Sequence, residues 1–350
     1  MKKRLTVLLA LLLALSLTAC AAAPAAEPAE PAAPAAEPAA EPAAEPAEPA
    51  PASGQFPKER AIKIVVPYAA GGGVDISSRI VSSTATETLD QRIDVVCMDG
   101  ANGQEGIQFV YNQPSDGYTI LATDYGPFIS PVLQGEVDTY SLDEWVPVID
   151  INDVTPVFFV RSDSPYETME DLVAAAKETP GTITVGHGRY MSVPHLPLIL
   201  LESASGASFS HVATSGGSEA LAFVLGGNVD VGASVPSTIS PSVKSGDLRA
   251  LAVASEERLE TFPDTPTLKE LGYDVVMPAW YMLFVKADTP QEVRDTLEAG
   301  FMAALETDTA KKMASSSSID LANLNSADSA AAYQTTIDNL TAIFQMVEPE

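Results

Sequence analysis

The sequence predicts an α/β protein built as two lobes. Three observations carry that expectation: short β-branched runs alternate with amphipathic segments, the alternation restarts after Pro156, and the 296 residues from position 55 onward suffice for two domains of ordinary size. In the first lobe, residues 62–68 form a strand ended by Gly71-Gly72-Gly73, and a helix follows through Ile76, Ile80 and Val81. Residues 94–98 form the next strand, residues 102–111 a helix, and residues 118–123 a third strand bounded by Asp116-Gly117. Strands and helices alternating at this spacing imply a parallel sheet covered by helices.

The second lobe repeats the pattern. Residues 157–160 form a strand; Thr168 caps a helix through Leu172, Val173 and Ala176, which Pro180-Gly181 stops. Strands are expected at 182–185, 209–212, 229–232 and 248–253, with helices over 193–203 and 219–225. The C-terminal part reads as helical over 291–305 and 328–346, where Tyr333, Ile337, Leu340 and Phe344 share one face.

The first 54 residues are of a different kind. Lys2, Lys3 and Arg4 precede an apolar run over residues 5–17, too short for a bilayer crossing of about 20 residues. Residues 1–20 therefore read as an export signal. Leu17-Thr18-Ala19-Cys20 resembles the bacterial lipobox, which implies acylation of Cys20 and a stable membrane anchor; an ordinary secretory signal with an incidental cysteine is the alternative. Residues 21–54 are almost wholly Ala, Pro and Glu, with nine prolines and six glutamates. Such a chain cannot hold a continuous helix or a packed core and reads as an extended stalk.

The 350 residues carry 19 Lys+Arg against 47 Asp+Glu, a net charge of −28. Removing the +3 of the signal and the −6 of the stalk leaves −25 on residues 55–350. Nucleic-acid phosphates demand clustered Lys and Arg, so nucleic-acid binding is excluded. Two cysteines, Cys20 and Cys97, make neither a disulfide framework nor a four-thiolate zinc site.

The chemistry-bearing motifs are sparse. Gly71–Gly73 lies between a strand and a helix, but Ile76 replaces the third glycine of the dinucleotide fingerprint, and no Gly-Lys-Ser/Thr follows. What remains is either a tight turn or a loop whose amides, at a helix start, attract a carboxylate. His187, His195 and His211 have no metal-type spacing, so each reads as a scaffold residue and no metal or cofactor is expected. Cys97, among Val95, Val96 and Met98, reads as an inert buried thiol, and no Gly-x-Ser-x-Gly elbow exists. No catalytic constellation is expected.

Several segments together resemble the substrate-binding proteins of tripartite tricarboxylate transporters. They are Val66-Pro67-Tyr68-Ala69-Ala70-Gly71-Gly72-Gly73-Val74-Asp75 with Arg79, Ser115-Asp116-Gly117-Tyr118-Thr119-Ile120-Leu121, Ser192-Val193-Pro194-His195-Leu196, Gly226-Gly227-Asn228-Val229-Asp230, Gly246-Asp247-Leu248-Arg249-Ala250-Leu251-Ala252-Val253, Phe262-Pro263-Asp264-Thr265-Pro266-Thr267 and Ala279-Trp280-Tyr281. The resemblance spans residues 57–308 in order. It implies a type II periplasmic-binding-protein fold with two crossover strands and a ligand cleft between the lobes. Residues 55–155 and 276–350 would then form one lobe and residues 156–275 the other. It also implies a small carboxylate ligand held by main-chain amides and waters. The ligand set so implied is Ala69, Ala70, Gly71, Gly72, Gly73, Asp75 and Thr123 from the first lobe. From the second come Gly186, Ser192, Val193, Thr214, Ser215, Gly216, Gly217, Ser218 and Thr238.

Two departures stand out. Arg189-Tyr190-Met191 replaces the family's small Gly-x-Gly residues, and Ala213-Thr214-Ser215-Gly216 replaces its Pro-Tyr-Lys-Gly. Arg189 reads either as a bidentate carboxylate contact or as a solvated loop charge. Asp75 reads as a helix cap, with a cleft-facing role implied by the resemblance.

The expected protein is an extracytoplasmic, lipid-anchored monomer that captures a carboxylate for the large and small membrane subunits of such a transporter. A sensory binding protein serving a membrane kinase is the alternative, and an envelope enzyme a more distant one. The anchor is directly testable: Cys20→Ala should move the protein from the membrane fraction to the soluble fraction. A variant that still sediments with membranes would refute acylation at Cys20.

Overall fold

The computed structural model describes residues 56–347; Cys20 and the Ala/Pro/Glu stalk lie outside the described residues. The chain opens with β1 (Ile62–Val66), α1 (Gly73–Thr88), β2 (Ile93–Cys97), α2 (Gln104–Tyr111) and β3 (Thr119–Thr123). β1 pairs in parallel with β2 on one side and β3 on the other, as strand–helix–strand connections require. Two single-turn helices, α3 (Tyr125–Phe128) and α4 (Ser130–Leu133), lead to the long strand β4 (Trp145–Val154).

Thr155 and Pro156 alone separate β4 from β5 (Val157–Arg161), which opens the second lobe. There follow α5 (Met169–Glu178), β6 (Thr184–His187), α6 (Leu196–Ser205), β7 (Ser210–Ala213), α7 (Gly217–Leu225), β8 (Val231–Ser234), α8 (Pro236–Lys244) and β9 (Leu248–Val253). Thr168 caps α5 as expected, in a reciprocal capping box with Asp171. The chain returns through β10 (Ala279–Lys286), α9 (Gln291–Leu305), α10 (Asp308–Ser316), β11 (Asp320–Leu324) and α11 (Ser326–Val347).

Two mixed sheets result, with orders β11-β4-β10-β3-β1-β2 and β7-β6-β8-β5-β9. The expectation of purely parallel sheets needs correction. β10 runs antiparallel to β3 and β4, and β5 antiparallel to β8 and β9. A chain that leaves one sheet for the other and later returns inserts strands of the opposite direction, so the crossovers themselves break the parallel order. Sequence reasoning also missed β4, because Pro147, Asp150, Asn152 and Asp153 mask its β-branched residues. β6 and β8 begin two residues later than expected. Asp230 and Thr184 bond each other across the strand entrance, at 2.7–2.9 Å, in place of regular ladder bonds.

The first lobe's core gathers Phe128, Tyr140, Trp145, Trp280, Phe284 and Tyr333, with ring centroids 5.0 to 6.2 Å apart. α11 docks there through the expected face: Tyr333, Leu340 and Phe344 are buried, and Ile337 packs partly buried against the same cluster. The second lobe's core surrounds Phe158, Leu172, Val185, Leu198 and Leu201.

Two polar residues sit deep in the crossover strand β4, Asp150 and Asn152. Asp150 is 1% exposed, and burial, with the nearby Asp153 charge, pushes its carboxyl up to about 8 despite amide bonds from Asn152 and Tyr281. The folded chain therefore holds a proton that the unfolded chain releases near pH 4. Stability from this group is complete below the unfolded value and is lost as pH rises toward 8. Asp150→Asn should thus raise the melting temperature by a margin that widens from about pH 4 to about pH 8, at up to about 1.4 kcal/mol per pH unit, and then levels off. A pH-independent margin would show that Asp150 is ionised in the folded protein.

Candidate functional site

A small cavity lies where the carboxyl ends of strands from both sheets meet, the position expected for open α/β sheets. It encloses about 50 Å³ of space open to water-sized molecules. Three helix starts converge on it. The first turn of α1 contributes Gly72, Gly73 and Val74, that of α7 contributes Gly216 to Glu219, and that of α8 contributes Val235 and Thr238. None of these helices carries a side-chain N-cap. Among the described residues, the amides of Gly73, Val74, Gly217 and Ser218 accordingly have no partner.

Small residues make this convergence possible. A Cβ on Gly73 would lie 2.5 Å from the Tyr281 hydroxyl, and one on Gly217 would lie 2.3 Å from Ser234 Oγ. A side chain at either place would have to displace the Tyr281 ring or the Ser234 hydroxyl from the cavity wall, or shift the helix start. The hydroxyls of Ser192, Ser234 and Thr238 are buried in the same wall without a partner. Uncapped helix starts and unpaired hydroxyls are donors, and no Lys or Arg lines the cavity. Such a wall holds an anion by oriented dipoles rather than by a counter-ion.

Two carboxylates also face the cavity. Glu219 accepts from the Ser215 amide at 2.7 Å and its hydroxyl at 2.9 Å, which hold its carboxyl below the usual range. Asp124, 4% exposed, accepts from Tyr68 Oη at 2.8 and 2.9 Å and from the Gly126 amide at 2.7 Å. Burial pushes Asp124 up to about 6, against the pull of those donors and of Arg189.

The lobes touch around the cavity. Ser218 Oγ, from the second lobe, donates to the Gly71 carbonyl at 2.8 Å. Arg189, also from the second lobe, donates to the carbonyls of Pro67 at 2.6 Å and Asp99 at 3.1 Å, with its guanidinium 4.5 Å above the Tyr68 ring. Arg189 is 5% exposed and lies outside the cavity wall. It is neither the carboxylate contact nor the solvated charge expected from sequence; it cross-braces the lobes.

Ala69, Gly72, Gly73, Ser192, Val193, Ser215, Gly216, Gly217, Ser218 and Thr238 do line the cavity. Ala70, Gly71, Asp75, Thr123, Gly186 and Thr214 stand outside that wall. Asp75 pairs with Arg79 at 2.9 Å and accepts from the Gly71 amide at 2.8 Å and Cys97 Sγ at 3.2 Å. Burial pushes its carboxyl up, but those partners outweigh burial and hold it below the usual range. It shapes the glycine loop from behind. Thr123 donates to the Asp124 carbonyl, and Thr214 braces its loop on the carbonyls of His187 and Gly216. Tyr68, Asp124, Ser234 and Tyr281 were missed. The signal for Asp124 was present, since neighbouring residues at a strand end point to opposite sides.

Cys97 is half-buried rather than buried; burial first, and then Asp75, push its thiol up to about 11, which keeps it a poor nucleophile. The three histidines do gather, with ligand nitrogens within 4.8 Å of one another. His195 Nδ1 accepts from the Met191 amide at 2.9 Å, so Nε2 carries the proton and donates to His211 Nδ1 at 2.9 Å. His211 Nε2 then donates to Glu202 at 3.0 Å, and His187 Nδ1 to the Gly188 carbonyl at 2.6 Å. Of the nitrogens in this relay, His187 Nε2 alone keeps an uncommitted lone pair. Coordination of one metal by all three rings would require Met191 to release His195.

Two α/β lobes joined by crossover strands around a closed cleft define a periplasmic-type solute receptor. The tripartite tricarboxylate transporter family receptor matches residues 77–348, and the chain belongs to that family. A UPF0065 protein from the gbd 5' region of Cupriavidus necator is 33% identical over 264 residues, 73% of this chain and 78% of the relative. The periplasmic binding protein BugD superposes with a TM-score of 0.76 at 25% identity, covering 83% of this chain and 98% of its own. MatC from Rhodopseudomonas palustris, solved with bound malate, gives 0.77 at 24% identity over 83% of this chain and all of its own.

The Arg189 brace has a measurable consequence. Arg189→Ala should favour the open arrangement and raise the ligand dissociation constant by about tenfold or more, the scale of lost hydrogen bonds to a charged group. Small-angle scattering should show a larger unliganded radius of gyration. Unchanged scattering and affinity would show that the brace does not govern closure.

Proposed function

We propose that this chain is an extracytoplasmic, lipid-anchored receptor that encloses a small carboxylate between its lobes and delivers it to a tripartite tricarboxylate-type transporter. The observation that carries the reading is the convergence of two uncapped helix starts, those of α1 and α7, and three unpaired hydroxyls on one cavity lined by no Lys or Arg. Dipoles and hydroxyls neutralise a carboxylate without a fixed ion pair, and closure removes the water that would compete. The interlobe bonds of Ser218 and Arg189 supply a closed state for the ligand to stabilise. The expected partners are the large and small membrane subunits, with the chain acting as a monomer tethered through Cys20. Membership of the receptor family supports transport as the purpose of capture. Among the described residues no helix is long and apolar enough to cross a membrane.

A thermal-shift screen of the full chain against carboxylates, amino acids, amines and neutral sugars tests the ligand class. A bound carboxylate at 100 times its dissociation constant should stabilise by about 2.7 kcal/mol, with no shift from amines or sugars. A shift from amines alone would sink the carboxylate reading.

A further inference from the structure

Asp124 is an unusual wall for an anion site. Its carboxylate holds two donors, the Gly126 amide and the single proton of the Tyr68 phenol, which leaves acceptor capacity on a side chain that lines the cavity. The other carboxylate of the wall, Glu219, is tied to Ser215. Asp124 lines the same cavity as the starts of α1 and α7, so an anion held by those amides shares the space with its carboxylate. Two unshielded carboxylates at that range in a dry cavity repel strongly, because the low dielectric magnifies like charge.

We infer that Asp124 sets the ligand class: it accepts a hydrogen bond from a hydroxyl or amino group close to the ligand's carboxylate, so that hydroxy or amino acids are selected over unsubstituted ones. This rests on the reading of the cleft as a carboxylate site. The helix starts hold the anionic end, and Asp124 receives the donor end. A ligand without that donor leaves Asp124 unpaired against an anion, and a site built to bond such a donor rejects the analogue that lacks it. Asp124 is a specificity-determining contact, the role that sequence reasoning had placed at Asp75.

The ionisable groups facing Asp124 are the phenols of Tyr68, Tyr125 and Tyr281, all raised far above their ordinary range by burial, and the Arg189 guanidinium behind Tyr68. None of the phenols ionises near neutral pH, so Asp124 is the member of this group that titrates there. Once protonated, Asp124 becomes a donor and tolerates an unsubstituted anion.

Calorimetric titration of the full chain with matched probes tests this: propionate, lactate and alanine, then succinate, malate and aspartate. At about pH 7.5, the wild type should bind a donor-bearing member of a set at least about tenfold tighter than its unsubstituted counterpart. Asp124→Asn keeps an oxygen for the Gly126 amide, so the fold should survive, as a melting curve would verify. That variant should bring the ratio within about threefold. In the wild type, acidification to about pH 5 should strengthen succinate or propionate binding and shrink the ratio, a measurement that needs no variant. Carboxylate binding whose ratios ignore both the substitution and the pH overturns the role of Asp124 and leaves the carboxylate site standing. Failure of the wild type to bind any carboxylate overturns both.

Discussion

Helix starts with nothing to cap them dominate the organisation of this protein. An uncapped first turn leaves amides that must find an acceptor, and here those of α1 and α7 face one enclosed space, beside the unpartnered Thr238 hydroxyl of α8. Thr168 caps α5 and Thr307 caps α10 through their side chains, whereas α1 and α7 start on glycines that leave their first amides free at the cavity. The glycines at 73 and 217 serve the same end, since a Cβ at either would run into Tyr281 or Ser234 of the cavity wall.

Closure and recognition share parts. Arg189 spans the lobes and stacks on Tyr68, and Tyr68 in turn holds Asp124 in the cavity wall. Arg189, Tyr68 and Asp124 thus form one run of contacts from the interlobe brace to the cavity wall. Burial favours the neutral form of Asp124, and Arg189, held at a fixed distance by closure, favours the charged one.

The acidity of the chain bears on rate more than on affinity. A body of −25 repels an approaching anion at long range. At physiological salt the Debye length is roughly 8 Å, so most of that surface charge is screened from the cleft. Directed amides and hydroxyls within hydrogen-bond distance then decide binding, and they act in a dry space where each is worth more than in water.

The two-lobed α/β class was legible in the sequence because hydrophobic periodicity and turn residues are local, and α9 and β9 fall at the expected bounds. The loop Gly71–Gly73 was legible as a tight turn or a close-approach loop at a helix start, whereas the stretch from Ser215 to Ser218 was implied only by the family resemblance. Tertiary structure alone decided which side chains belong with them. Asp75 and Asp124 are both aspartates beside a helix start, yet Arg79, one helical turn from Asp75, pairs with it behind the loop and leaves Asp124 in the wall. Arg189 could not be assigned from its neighbours in the chain, because its partner Pro67 lies 122 residues away and they meet only when the two sheets face each other. Local pattern reports the face and period of an element; a hydrogen-bond partner across a cleft depends on how two separately folded lobes come together.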